Sequence, residues 1–158
     1  MQENIKNAME IMAEDIRQNS IRWWSWIDGL CNDSFTQWEV SNKLCLDTDI
    51  TTLQFTLWKF NDSTWEYEAT DDCVDLMSKN CHIIKTVSDA SDYFPLTNHK
   101  SHITRLNFRF LNESQPKVQI TVWIRPALRQ GLTPELIESE EIIIQTTLSE
   151  RYIPIISN

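Results

Sequence analysis

Glycine is nearly absent from this sequence, with 2 residues in 158. Glycine-rich phosphate cradles and dinucleotide-binding loops need backbone conformations that only glycine adopts easily, so both kinds of nucleotide site are excluded. The sequence also lacks an apolar run of the roughly 18 residues that a membrane-spanning helix needs, and it lacks a charged-then-apolar leader. No Cys-x-x-Cys pair, typical of zinc and redox sites, is present.

Basic charge is the minority, since 14 Lys and Arg stand against 23 Asp and Glu and give a net charge of -9. The basic residues are scattered and do not interleave with aromatic residues in one run, so we expect no nucleic-acid partner. The 41% of hydrophobic residues is typical of a globular chain. We therefore expect residues 1–158 to form a single domain.

The cysteines fall into two sequence-local pairs, Cys31 with Cys45 and Cys73 with Cys81. Disulfides within these pairs would close short loops, each contributing about 2 to 4 kcal/mol in an oxidising compartment. Four buried free thiols are the alternative. The three histidines are not spaced as zinc ligands, so a metal centre is disfavoured.

Tryptophan is abundant, with 7 residues. Trp58 and Trp123 alternate with polar residues in predicted strands, which favours a place in the core of a sheet. Trp23, Trp24 and Trp26 lie in polar surroundings, where large aromatic side chains serve equally well as core plugs or as rigid interface contacts. We keep both interpretations open and name these three as a candidate subunit or partner interface.

The N-terminal segment has the spacing of an amphipathic helix over about residues 2 to 19. Ile5, Met9, Met12 and Ile16 recur every three or four positions, and charged residues fill the other faces. The pattern favours contact of this stripe with a sheet over a cofactor or membrane face. We expect these four residues to form the helix–sheet core.

The rest of the chain reads as an excursion followed by strands. Residues 21–50 lack a sustained period and are expected to hold the first disulfide, whereas 52–153 is rich in alternating segments separated by turns. The polar stretch 88–101 is expected to be a loop. The predicted fold class is α+β, with the helix packed on one antiparallel sheet in pilin-like fashion and a long disulfide-containing excursion.

Catalytic residues are not predicted. Ser101 beside His102 is the nearest approach to a nucleophile and base, but no strained nucleophile turn surrounds it. Asp71, Asp72 and Asp75 offer oxygen ligands for calcium, although the glycine and bidentate glutamate of an EF-hand are missing. A solvated acidic turn is the plainer interpretation, so we expect no cofactor, with calcium as the alternative.

Three segments resemble minor pilins and pseudopilins of type IV pilus and type II secretion systems, especially the J-type pseudopilin and W-type minor pilin group. The first is AMEIMAEDIR at 8–17, similar to the soluble half of the pilin helix. The second is ITRLNFRF at 103–110 followed by QPKVQITV at 115–122. The third is IQTTLSER at 144–151, similar to the closing strand of that group.

This resemblance implies a non-catalytic assembly or adhesive subunit, with a role at the tip or in initiation of the filament. Its partners would be other pilin or pseudopilin subunits. Its membrane contact would run only through an apolar N-terminal helix, removed here, that opens members of the family and would precede Met1. Such a subunit is exported, anchored in the inner membrane before assembly, and then carried on the cell surface or facing the periplasm.

A second class stays open, that of an unrelated exported β-rich binding domain recognising a protein or a glycan. Its support is the acceptor pattern for N-glycosylation, which occurs at Asn32, Asn61 and Asn112. The upstream coding sequence distinguishes the two classes, because a filament subunit has a prepilin leader and a secreted module has a conventional secretory signal.

Overall fold

The computed structural model describes residues 2–21, 40–48, 51–61, 63–69, 73, 81–87, 92–98, 101–112, 116–126, 133, 135 and 141–149. It begins with one helix, α1 (Gln2–Gln18), carrying an acidic residue in its first turn and a basic one in its last. These charges match the helix dipole. Within the described residues, no helix has the length and apolarity needed to cross a bilayer.

The described strands form two antiparallel sheets. Sheet A consists of β1 (Ser20–Ile21), β3 (Leu44–Asp47), β4 (Thr52–Asn61), β5 (Glu66–Ala69), β6 (Cys81–Val87) and β7 (Asp92–Pro95). Its strand order is β1-β3-β4-β6-β7, and β5 pairs with β4 as the second strand of a hairpin. Sheet B has the order β10-β9-β8-β2, with β2 (Val40–Ser41), β8 (Ser101–Asn112), β9 (Pro116–Pro126) and β10 (Ile142–Ser149).

One apolar core joins α1 to both sheets. Sheet A contributes the alternate residues Leu53, Phe55 and Leu57 of β4, and sheet B contributes the matching alternate residues of β8 and β9. Each buried side chain of this size stabilises the fold by about 1.5 to 3 kcal/mol. In each long strand, the alternate apolar residues thus form the face that enters the shared core.

The predicted α+β class, a pilin-like helix on one antiparallel sheet, is wrong. The described chain is mostly β, with two antiparallel sheets and a single short helix. The reason is the amount of apolar strand surface: β4 buries Leu53, Phe55 and Leu57, and β8 and β9 each bury alternate apolar residues along most of their length. A 17-residue helix covers too little of that surface, so the sheets must also cover one another.

Two further expectations on strands need correction. Asp92–Pro95 lies in the stretch predicted as a loop, yet it pairs with β6 as the outermost strand of sheet A, where a proline is tolerated. Trp58 and Trp123 do not belong to the core. Both are half-buried on the face of their sheet that points away from the core. The adjacent apolar residues of each strand point into the core instead.

Candidate functional site

Helix α1 is held against the sheets along one face. Ile5, Met12 and Ile16 are fully buried, and Met9 packs against the same core. Polar contacts fix both ends of the helix: the amide of Asn4 donates to Ser101 Oγ at 2.9 Å, and Lys85 Nζ donates to Asp15 Oδ2 at 2.7 Å. The helix is thus attached rigidly, and its other face remains exposed.

An open groove of about 790 Å³ runs between α1 and β10. Ile5, Met9 and Ala13 line it from the helix, and Ile144 and Leu148 line it from the strand. Charged side chains of α1, namely Lys6, Glu10, Glu14 and Arg17, form its rim. An apolar floor with a charged rim is the composition expected of a surface that receives another protein segment.

Strand β10 is the edge of sheet B beside this groove. Within the described part of the chain it pairs only with β9, from Ile142 opposite Ile124 to Ser149 opposite Lys117. Its eight residues include no charge and no proline. Soluble proteins usually protect long edge strands with such residues, because an open edge pairs with other chains. β10 therefore has the features of a strand used for association.

A second surface, on sheet A, is a group of five aromatic side chains that we call the aromatic patch: Trp58, Phe60, Trp65, Tyr67 and Tyr93. Ring centroids lie 5.4 Å apart for Trp58 and Tyr93, 5.1 Å for Phe60 and Tyr67, and 5.6 Å for Tyr67 and Tyr93. The cross-strand pairing of Phe60 with Tyr67 sets this arrangement. Tilted and edge-on contacts of this kind stabilise a rigid aromatic surface.

Trp65 is the most exposed member of the patch, at 79%. Its φ of 58° is in the left-handed region, which is costly for a residue with a bulky side chain. It stands at the turn of the β4–β5 hairpin, 6.1 Å from the ring of Phe60. A large apolar side chain kept both exposed and strained is more typical of a contact surface than of a structural element.

Tyr67 lies between the other rings of the patch. Burial raises the pKa of its hydroxyl, and the neighbouring Tyr93 raises it further. The hydroxyl therefore stays protonated across the physiological range and remains a hydrogen-bond donor. The patch thus combines apolar area with a neutral polar group.

Cys73 and Cys81 form a disulfide, and the ring of His102 in β8 is hydrogen-bonded to the backbone of both cysteines. The Cys81 N–H donates to His102 Nδ1 at 3.0 Å, and His102 Nε2 donates to the Cys73 carbonyl at 2.8 Å. The ring is therefore neutral with its proton on Nε2. Ser101 and His102 are both buried in strand β8, so the loop expected over 88–101 does not extend to Ser101.

Most of the other residues predicted as sites lie outside the described part of the chain. Cys45 is disulfide-bonded, whereas Cys31 lies outside the described residues. The candidate interface residues Trp23, Trp24 and Trp26 and the candidate calcium ligands Asp71, Asp72 and Asp75 also lie outside them. Among the residues that the structure describes, no group of three or more His, Cys, Asp or Glu is arranged to hold a metal ion.

Sequence reasoning missed the groove and the aromatic patch. The uncharged run at 142–149 was a usable signal for an open edge, since its sequence predicts a strand without protecting residues.

Comparison of the chain with family models, curated proteins and solved structures finds no match.

Proposed function

We propose that this domain is a non-catalytic structural or adhesive subunit of a type IV pilus or pseudopilus, acting as a minor subunit at the tip or in initiation. The observation that carries the proposal is the groove between α1 and the open edge strand β10. The resemblance to this group includes residues 8–17 of α1 and residues 144–149 of β10, which are the same two elements. The Cys73–Cys81 disulfide is consistent with an exported protein.

A filament subunit must present its helix to its neighbours in a fixed orientation. The buried stripe of α1 and the contacts of Asn4 and Asp15 support such a role, because they leave only the outer helix face to meet a partner. A partner segment would bury the apolar floor of the groove and pair with the β10 backbone. Residues in the groove on one subunit would then meet a different surface on the next, the geometry that builds a filament.

Site-specific photocrosslinking in the native cells tests this assembly contact. A photoreactive residue replaces Glu10, which is exposed on the groove rim, and in a matched variant it replaces Glu66, which is exposed on β5 of sheet A. We expect covalent products with other subunits from position 10 and few or none from position 66. Equal yields at both positions, or none at position 10, would contradict assembly through the groove.

A second candidate is an exported β-rich domain, unrelated to pilins, that recognises a protein or a glycan. The aromatic patch favours it, because Trp65 and Tyr93 are exposed by 79% and 40%. Contiguous exposed aromatic area of this kind marks binding surfaces on soluble proteins. Replacing Trp65 with Ser tests it in a cell-adhesion assay: loss of adhesion in this variant, together with no crosslinking to other subunits from position 10, selects this second function.

A further inference from the structure

The outer face of sheet B carries a cleft of about 290 Å³, which we call the sheet-B platform. It is lined by Asn107, Arg109, Gln119, Thr121, Trp123, Ile143 and Gln145. The strand register places these side chains in rows across β8, β9 and β10, with Asn107 opposite Thr121 and Thr121 opposite Gln145. From Gln119 to Trp123 the rows extend about 13 Å along β9, the length of a short linear ligand.

The charge of this face is opposite to that of the whole chain. β8, β9 and β10 together hold four basic residues, Arg105, Arg109, Lys117 and Arg125, and no acidic residue. The net charge of the protein is -9. Arg125 is paired with Glu141, whereas Arg105 and Arg109 are exposed and make no ion pair within the described residues. The platform therefore has unneutralised positive charge fit for a carboxylate.

The polar side chains of the platform retain unused hydrogen-bonding groups. The Gln145 amide nitrogen donates to Thr121 Oγ1 at 3.0 Å, which leaves the Gln145 carbonyl oxygen and the Thr121 hydroxyl proton for a ligand. The amides of Asn107 and Gln119 are half-buried in the same cleft. These amide and hydroxyl groups lie close together and include both hydrogen-bond donors and acceptors. They can therefore bind the hydroxyl groups of a sugar, which both donate and accept hydrogen bonds.

Trp123 supplies, together with Ile143, the apolar part of this cleft. It is half-buried and stands in the central strand, between Arg105 on one side and Ile143, 58% exposed, on the other. A tryptophan ring offers a large, flat and rigid contact area at little entropic cost. Such a ring suits the apolar face of a pyranose, and the arginines beside it suit an acidic substituent.

We propose that the sheet-B platform binds an acidic oligosaccharide of the hexuronic-acid class, with Arg105 and Arg109 on its carboxylates and Trp123 against a sugar ring. A single-stranded nucleic acid fits less well, because its successive bases stack on a series of aromatic side chains and the described lining of the platform offers one, Trp123. The inference deepens the adhesive form of the proposed function and rests on it. It names a ligand class and a surface on the outer face of sheet B, which shares Gln145 with the lining of the assembly groove.

Calorimetric titration of the purified protein with a short oligogalacturonate tests this proposal. We expect saturable binding that weakens as salt is added, and a dissociation constant raised about tenfold by Arg109→Gln. The matched control is Lys59→Gln, which removes the same charge from β4 of sheet A, outside both the platform and the groove, and should leave the dissociation constant unchanged. Thermal melting of each variant checks that the fold is retained.

Three further ligands define the chemistry that is recognised. A neutral malto-oligosaccharide should bind more weakly than oligogalacturonate, since it lacks the carboxylates. An oligoglutamate peptide and an oligothymidylate should also bind more weakly, since they carry charge without sugar rings. Equal or tighter binding of any of the three overturns the assignment, as does undetectable oligogalacturonate binding or an unchanged constant in Arg109→Gln. Loss of crosslinking from position 10 with sugar binding intact would instead count against the filament role alone.

Discussion

Replacement of His102 by leucine should destabilise the domain by about 3 kcal/mol. The substitution removes the acceptor of the Cys81 N–H and the donor to the Cys73 carbonyl, in a side chain only 5% exposed. A buried backbone group that loses its partner costs about 1 to 3 kcal/mol, and two such groups are affected. His102→Asn is the matched variant, because its side-chain oxygen can still accept from the Cys81 N–H, so we expect about half the loss.

The pH dependence of stability provides an independent test of the same contact. Burial lowers the pKa of His102 from its ordinary value of 6.5; the hydrogen bond to Cys73 opposes this shift and the charge of Arg125 adds to it. The unfolded chain therefore binds a proton at pH values where the folded chain does not. The wild-type protein should lose stability as the pH falls below 6.5 towards the lowered pKa.

Urea denaturation of the wild-type protein and both variants, at neutral pH and at mildly acidic pH, measures both effects. Comparison with His102→Leu isolates the proton linkage of this one histidine from that of other groups. Two results would refute the reasoning: a free energy of unfolding for His102→Leu within about 0.5 kcal/mol of wild type, the range of ordinary surface substitutions, or an identical acid dependence in both proteins.

Three further predictions concern stability and are measured by the same denaturation assay. Asp15→Asn should cost about 1 kcal/mol by weakening the half-buried ion pair with Lys85 that ties α1 to β6, and no loss would show that the pair is unimportant. Trp65→Gly should leave stability equal or up to about 1 kcal/mol higher, because glycine tolerates the positive φ; a clear loss would mean that the indole contact with the hairpin outweighs the strain. Replacing Cys73 and Cys81 together with alanine should cost about 2.5 kcal/mol by freeing a short loop. Reducing agent should lower the stability of the wild-type protein by at least as much, since it also opens the disulfide of Cys45, and no loss in either experiment would contradict a stabilising role of the bridge.

Local patterns in the sequence predicted the individual elements well. The spacing of Ile5, Met12 and Ile16 placed α1 and its buried face, and alternation indicated strands within 52–153, where β4, β8 and β9 lie. These signals are local, since a helix or a half-buried strand repeats its apolar residues with its own period. The Cys73–Cys81 pair was visible for the same reason, since its cysteines are 8 residues apart.

The packing of the two sheets against each other could not be predicted from such local patterns. Both β4 and β8 show one apolar face, and nothing in either pattern states whether that face meets a helix or a second sheet. The prediction for Asp92–Pro95 was wrong for a related reason. All four residues are exposed, so this edge strand is held by hydrogen bonds to β6 rather than by burial. The same limit misplaced Trp58 and Trp123, because alternation identifies two faces of a strand but not which one is covered.

The candidate surfaces depend on register across strands that are distant in the sequence. Phe60 meets Tyr67 through a local hairpin, but Tyr93 joins the aromatic patch only through β6 and β7. Arg109, Gln119 and Gln145 come together only when β8, β9 and β10 align. The lack of acidic residues in these three strands was the one part of the sheet-B platform that the sequence displayed directly.

The most direct test of the proposed role is the location of the native protein in its own cells. Filaments sheared from the cells, the membrane fraction and the soluble interior are probed with an antibody to this domain, and thiol labelling reports the state of Cys73 and Cys81. The account predicts the oxidised protein in the membrane fraction and in the sheared filaments. Protein found only in the soluble interior, with both thiols reduced, would contradict it.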